Sequence, residues 1–351
     1  MDLMSLIIGI VALIILHEFG HFLLARLNHI KVEEFGIGFP PRIMTLFRWK
    51  ETEFTLNWIP LGGFVRPVGE NDPDVPGGLA SANPRVRLSV MLAGPLMNLL
   101  VAGLLYGVAF SQWGTPDVHK IVIVQVATNS PAAQAGLQVN DLLVRLDDVS
   151  MDGIESVIRY VSAHKGEEIT ISYQRGDLII GTKLVPRINP PKGEGAIGIA
   201  MSNPTQPMSI IQAIPLGFST LFNQIYQMLT LPVRLAQGLV SADQIRFVGY
   251  KGIYDIYQDV RDADVAQPRN NNFGLLAFFG MLSASLGILN LLPFPALDGG
   301  RILFAVSEMI FHRRVPAHLE NMIHVIGLML LLLFMVYVNL QDFIHPLELP
   351  H

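Results

Sequence analysis

The chain has 351 residues, of which 51% are hydrophobic and only 15% charged, with a mean hydropathy of +0.43. Soluble domains carry about 25% charged residues, so the composition excludes disorder and makes a membrane the natural solvent for part of the chain. The net charge of −5 and pI near 6.0 give no footing for a nucleic-acid partner, and the lack of cysteine excludes disulfides and thiolate metal sites.

The first apolar stretch runs from Leu3 to about Leu27 and follows Met1-Asp2 directly, without the basic start or small-residue cleavage site of a signal peptide. Inside it stands His17-Glu18-Phe19-Gly20-His21, the pattern HExxH. On a helix, His17 and His21 are one turn apart, so both imidazoles can reach one metal ion. Glu18 lies beside them, where it can take a proton from water that the metal activates. Such groups are expensive in a spanning segment unless they face an interior and work there; the plainer alternative is a pair of hydrogen-bonded histidines in a bundle core.

Residues 31–66 then alternate strand-like segments with turn residues: VEEFGIGFPP, TLFRW and EFTLNWIPLGGF. A second span, Leu88 to Ser111, carries no charge and holds Gly94-Pro95-Leu96-Met97-Asn98. Gly and Pro disrupt a membrane helix where something must fit or bend, and Asn98 supplies an interior polar group, as scaffold or as a substrate contact. From His119 to Ser202 the chain reads as a small β-rich domain, with IVIVQV and EITISYQ as strands and residues 153–164 as a helix. A hinge of Asn203, Pro204 and Pro207 leads to helical patterns over 208–240, expected to break at Pro215 and Pro232, and a polar stretch runs on to Asn272. Phe273–Leu292, rich in small residues, and Ile323–Leu340 complete four spans.

Eight basic residues from Arg26 to Arg87 and three more, Arg301, Arg313 and Arg314, flank the spans. The positive-inside rule places these two loops in the cytoplasm, with both termini and the long segment 114–272 outside.

A catalytic zinc needs a third protein ligand and leaves one position for water. The extended pattern HExxHxxGxxH fails, because Leu24 and Leu27 stand where its Gly and last His would be. Glu33 and Glu34 follow too closely to be attractive. Asp298 is the better candidate: it is the first acidic residue after the third span, in a run whose prolines break a helix and whose glycines turn tightly. A helix cap or a partner for Arg301 is the alternative role.

Together, HExxH and the run Asn290-Leu-Leu-Pro293-Phe-Pro295-Ala-Leu297-Asp298-Gly299 (NxxPxPxLDG) resemble the paired signatures of the site-2 protease family of intramembrane zinc metalloproteases, in the bacterial form with a single PDZ domain. The resemblance covers nearly the whole chain. It implies that His17, His21 and Asp298 bind one Zn²⁺ and that Glu18 is the general base. It further implies that Asn290 hydrogen-bonds substrate backbone or the developing oxyanion, a packing role being the alternative. Residues 31–66 resemble the family's membrane-associated β-hairpin, with GxGFPP from Gly36 to Pro41 and PLGGF from Pro60 to Phe64. There Gly36 and Gly38 are candidates to hold an unwound substrate strand, unless the hairpin is an ordinary interfacial one carrying Phe47, Trp49 and Trp58.

In the β-rich domain, Asn129 to Leu137 followed by Asn140-Asp141 resembles bacterial PDZ modules, with Asn140 where the family usually has Gly. Gly195, Ile197 and Gly198 resemble the loop that receives a peptide carboxylate. Such a domain could bind peptide ends or exclude bulky substrates by size. Residues 247–253 depart from the family pattern.

The expected fold is a mainly α-helical polytopic membrane protein of about four transmembrane helices, with a membrane-associated β-hairpin and an inserted PDZ-like α+β domain. Its expected segments are helix 1 with HExxH (1–27), the hairpin loop (28–87), helix 2 (88–113), the PDZ-like domain (117–203), an amphipathic helical linker (204–272), helix 3 with the LDG motif (273–300), and a cytoplasmic turn with helix 4 (301–345). The resemblance implies a zinc endopeptidase of the bacterial inner membrane, with its active site toward the cytoplasm. Its implied partners are the lipid bilayer and single-span membrane substrates pre-trimmed by another protease, such as anti-sigma factors or remnant signal peptides. A non-catalytic PDZ adaptor and a membrane metal transporter are the rival readings; the intact His17, Glu18 and His21 oppose the first and the lack of repeated polar helices the second.

Overall fold

A computed structural model of the chain describes residues 2–191, 193–206, 208–241, 247–266 and 272–345. Pro207 of the hinge, and residues 242–246 and 267–271 of the linker, lie outside the described residues. The chain forms two compact units, Met1–Gln112 with Ser209–His351, and Trp113–Met208.

The first unit opens with α1 (Asp2–Leu27), apolar on every side between Ser5 and Arg26 apart from its HExxH residues. A hairpin of β1 (Val32–Trp49) and β2 (Thr52–Pro67) follows, its turn made by Lys50 and Glu51 with Lys50 at φ 53°. Both strands bend back, because Glu34–Ile37 pair on one side with Gly63–Arg66 and on the other with Glu53–Leu56, while Arg42–Trp49 pair with Thr52–Asn57. The hairpin therefore lies in four rows, and only 42–49 and 63–67 are outer ones. Buried Glu34 pins the bend, accepting from the Thr55 hydroxyl at 2.7 Å and pairing with Arg42 and Arg66.

Helix α2 (Pro84–Trp113) begins four residues before the uncharged run. Asn83 accepts a hydrogen bond from the Arg85 amide and Pro84 follows it, an N-terminal signal in its own right. Arg87 is thereby carried into the helix, where it is 3% exposed and paired with Glu308.

The second unit contains β3 (Thr115–Pro116), β4 (Ile121–Val126), α3 (Pro131–Gln134), β5 (Leu142–Leu146), β6 (Val149–Ser150), α4 (Ile154–Ala163), β7 (Ile169–Arg175), β8 (Leu178–Leu184), β9 (Ile199–Ser202) and β10 (Thr205–Gln206). The main sheet has the order β8-β7-β5-β4-β9, with β6 paired to β5, and β3 pairs with β10. Alternate residues Ile121, Ile123, Ile169 and Ile171 enter its core and meet Val157 and Val161 of α4. Asn140 adopts φ 74°, the left-handed backbone that Asn tolerates better than other side chains.

The first unit resumes with α5 (Ile210–Ala236), α6 (Tyr250–Ala266), α7 (Phe273–Leu291), α8 (Asp298–Phe311) and α9 (Ala317–Ile344). Two expectations are corrected here. Helix α5 runs unbroken through Pro215 and Pro232. A reciprocal Ser209–Gln212 cap fixes its first turn, and each proline removes one hydrogen bond near an end. The third span and the LDG motif occupy different helices: α7 stops at Leu291, and the expected turn after Asp298 is helix α8. Buried Asp264 caps α7 by accepting from the Gly274 and Leu275 amides, and buried Asp342 accepts from those of Gly249 and Gly252 at the start of α6.

Among the described residues, α1, α2, α7 and α9 are long and apolar enough to cross a membrane.

Candidate metal centre

His17 and His21 lie on one face of α1, their Nε2 atoms 3.2 Å apart. Asp298, at the first position of α8, brings Oδ2 to 3.1 Å from His17 Nε2 and 3.4 Å from His21 Nε2. One donor atom from each residue lies within 4.8 Å of the others. Glycines make this convergence possible. A Cβ on Gly20 would meet the Ala93 carbonyl oxygen at 2.3 Å, so α1 and α2 approach closely. A Cβ on Gly94 would lie 2.2 Å from His21 Nε2 and 2.7 Å from His17 Nε2, in the middle of the cluster. Gly299 is equally constrained, since its Cβ would stand 1.9 Å from the Leu292 carbonyl oxygen where the turn folds onto α8.

The chemistry of the donors fits a zinc ion. His21 Nδ1 lies 2.8 Å from the Val90 carbonyl oxygen. A carbonyl only accepts, so Nδ1 carries the proton and Nε2 turns its lone pair toward the Asp298 carboxylate. Lone pair against carboxylate is repulsive without a cation or proton between them. Two imidazole nitrogens and one carboxylate oxygen suit Zn²⁺ and leave a fourth position open.

The sequence profile of Peptidase family M50 matches residues 5–334. The chain belongs to that family, the site-2 proteases. A Clostridium acetobutylicum protein, provisionally named as a zinc metalloprotease, is 32% identical over 99% of this chain and 100% of its own length. A similarly named Clostridium perfringens protein is 32% identical over 96% of each chain, and the zinc metalloprotease RasP of Geobacillus kaustophilus is 27% identical over 97% of each. Among solved structures, a PDZ domain from Listeria monocytogenes is 26% identical over 23% of this chain and 85% of its own, with a TM-score of 0.21. This M50 protease is therefore a zinc-dependent endopeptidase and a multi-pass membrane protein.

A cavity of about 480 Å³ opens onto the cluster, and Glu18, Asn290 and the outer row Gly63–Pro67 share its wall with the three donors. A Cβ on Gly63 would be 3.4 Å from Glu18 Cγ. Asn290 stands on the wall with Nδ2 donating to the Leu286 carbonyl of its own helix at 3.0 Å. Arg301 is paired with Glu70, not with Asp298, and Asp298 makes no side-chain cap for α8.

Four expected substrate contacts lie elsewhere. Gly36 and Gly38 do not line the cavity, because their segment is an inner part of the hairpin. Gly36 is covered by the Phe64 ring, and Gly38 (φ +79°) approaches the Ile59 carbonyl oxygen. The outer row facing the cavity is instead Gly63–Pro67, which takes only its first two residues from PLGGF, and among the described residues no strand pairs with its far side. Asn98 is buried behind His17, not in the cavity wall. In the second unit, Gly195 and Ile197 line an apolar groove of about 500 Å³ between α4 and β9, with Ile154, Val157 and Val161 opposite. Gly198 does not line it; its amide donates to the Gly195 carbonyl, and its φ of +76° closes the turn. Gly94 as the floor of the cluster and the Val90 carbonyl as the orienting acceptor escape sequence reasoning. The first was visible only as a helix-disrupting glycine, and the second is backbone and leaves no trace in residue identity.

Proposed function

We propose that His17, His21 and Asp298 hold the zinc, and that the protein hydrolyses peptide bonds within transmembrane segments of single-span membrane proteins. The observation that carries this reading is one cavity, reached from a spanning helix, whose wall is shared by the donor trio, Glu18 and a strand row that no other strand pairs on its far edge among the described residues. When bound, zinc supplies Lewis acidity that polarises a carbonyl and makes water easier to deprotonate. Glu18 takes the proton from the attacking water and returns it to the leaving amine. A membrane helix hides its peptide bonds in its own hydrogen bonds, so a substrate must unwind first; Gly63–Pro67 offers it strand pairing while extended. The Asn290 amide retains one N–H for substrate backbone or for the developing oxyanion.

The basic loops favour an orientation with the centre toward the cytoplasm and with both termini and the second unit outside, in a bacterial inner membrane. The second unit is read as a PDZ-like domain, supported by its β-sheet with α4 beside the outer strand β9 and by the apolar groove between them. Substrates pre-trimmed by another protease, such as anti-sigma factors or remnant signal peptides, suit such an arrangement.

The test is purified protein reconstituted with a single-span test substrate. Glu18→Gln should retain zinc and lose about 10²–10⁴ in cleavage rate, the usual worth of a positioned acid–base group. Wild-type cleavage by that variant would overturn the mechanism, and metal flux without cleavage in the parent would favour a transporter.

A further inference from the structure

Asn98 lies one helical turn after Gly94 on α2 and is 1% exposed. Its Nδ2 stands 3.2 Å from His17 Nδ1, while its buried Oδ1 has no hydrogen-bond partner. The oxygen and nitrogen of a carboxamide share one outline, and the surrounding hydrogen bonds decide which is which. With Nδ2 toward His17, Nδ1 must accept, so the ring proton sits on Nε2. Nε2 is the atom 3.1 Å from Asp298 Oδ2 and 3.2 Å from His21 Nε2, where a metal ligand needs a lone pair. Turning the amide by half a revolution reverses this. Oδ1 then accepts from Nδ1–H, and Nε2 presents its lone pair to the cluster, as His21 already does through the Val90 carbonyl. No donor meets the far side of the amide to hold it the first way.

We propose that Asn98 is a positioning residue for zinc: its side-chain carbonyl accepts the His17 Nδ1 proton and fixes the ring with Nε2 toward the metal. The proposal rests on the ligand assignment given under Proposed function. Outer partners of metal-bound histidines set tautomer and ring orientation, and their loss typically costs 10–100-fold in metal affinity. In this chain the two histidines would then be oriented from one helix by different means, His21 by backbone and His17 by a side chain.

The experiment measures the zinc affinity of detergent-purified full-length protein by competition with a graded series of chelators. Asn98→Leu keeps the volume and removes the acceptor; about 10–100-fold weaker zinc binding is expected. Asn98→Asp can only accept at neutral pH, and it should bind zinc at least as well as wild type. A donating or purely packing side chain predicts the reverse, because a carboxylate cannot donate to Nδ1 and buries a charge. Wild-type affinity in Asn98→Leu would overturn the proposal, as would loss of zinc in Asn98→Asp. If Asn98→Leu fails to fold, the Asn98→Asp result decides alone. His17→Ala separates the two levels of inference: stoichiometric, tight zinc in that variant sinks the ligand assignment itself, whatever the Asn98 variants do.

Discussion

In the second unit, Asp141 is 1% exposed and fully partnered: both carboxylate oxygens take hydrogen bonds from Arg175 at 2.7 Å, and the Gln138 amide adds a third. Asp147 accepts from the Thr170 amide and the Tyr160 hydroxyl, and Ser130 caps α3. In the first unit, Asp298 points instead at two imidazole nitrogens, at least one of which offers a lone pair. Among the described residues, the four buried side-chain polar atoms without a partner all belong to the first unit: Asn57 Oδ1, Asn98 Oδ1, Arg314 Nε and His324 Nε2. Carboxylates of that unit away from the centre behave like Asp141, since Asp264 and Asp342 each bond two helix amides. Folding thus satisfies polar groups wherever it can in both units. The exceptions gather in the unit that holds the candidate metal centre.

The largest expected effect tests the unsatisfied side of this contrast. Asp298→Asn removes the proposed anionic ligand while preserving shape, and it should lower zinc content to background and cleavage by at least about 10³-fold. Zinc analysis of the purified variant checks it directly. Next comes the floor of the cluster. Gly94→Ala places a methyl group 2.2 Å from His21 Nε2, so zinc affinity should fall by more than about tenfold even though no ligand is changed. Gly181→Ala in β8 is the matched control: its Cβ would meet nothing within 4 Å, and zinc should be unaffected. Equal zinc content in the two variants would contradict the packing described for the centre.

What the sequence discloses about the centre follows from distance along the chain. The placing of His17 and His21 on one face is legible because helical spacing is local. Asp298 could be nominated from its proline- and glycine-rich setting, but only the fold brings it across 281 positions to His17. Gly36 and Gly38 mislead because the row order of the hairpin depends on where β1 bends. Pairing on both sides of residues 34–37 is a tertiary fact that alternation of side chains does not encode. Asn98 has a similar history. Its polarity in an apolar helix marks it as an interior group, scaffold or substrate contact, yet its neighbour depends on how closely Gly20 and Gly94 let two helices approach. The prolines of α5 show the opposite failure, a strong local signal overruled by a capped and otherwise favourable helix.

The smallest expected effect tests the satisfied side of the contrast. Burial opposes ionisation of Asp141, but the Arg175 guanidinium and the Gln138 amide outweigh it and hold the carboxyl below its ordinary value. A carboxylate with a depressed folded-state pKa contributes stability above its unfolded value, near 3.9, and loses it as pH falls toward the folded value. Asp141→Asn should therefore weaken hydrogen-exchange protection of β5 and β7 in the full-length protein at neutral pH. The expected loss is about 1–3 kcal/mol, the worth of hydrogen bonds to a charged group, and the gap to wild type should narrow below about pH 4. Zinc content should not change. If protection fell equally at all pH values, the loss would come from packing rather than charge, and Asp141 would no longer stand for buried polar groups settled by ionic partners.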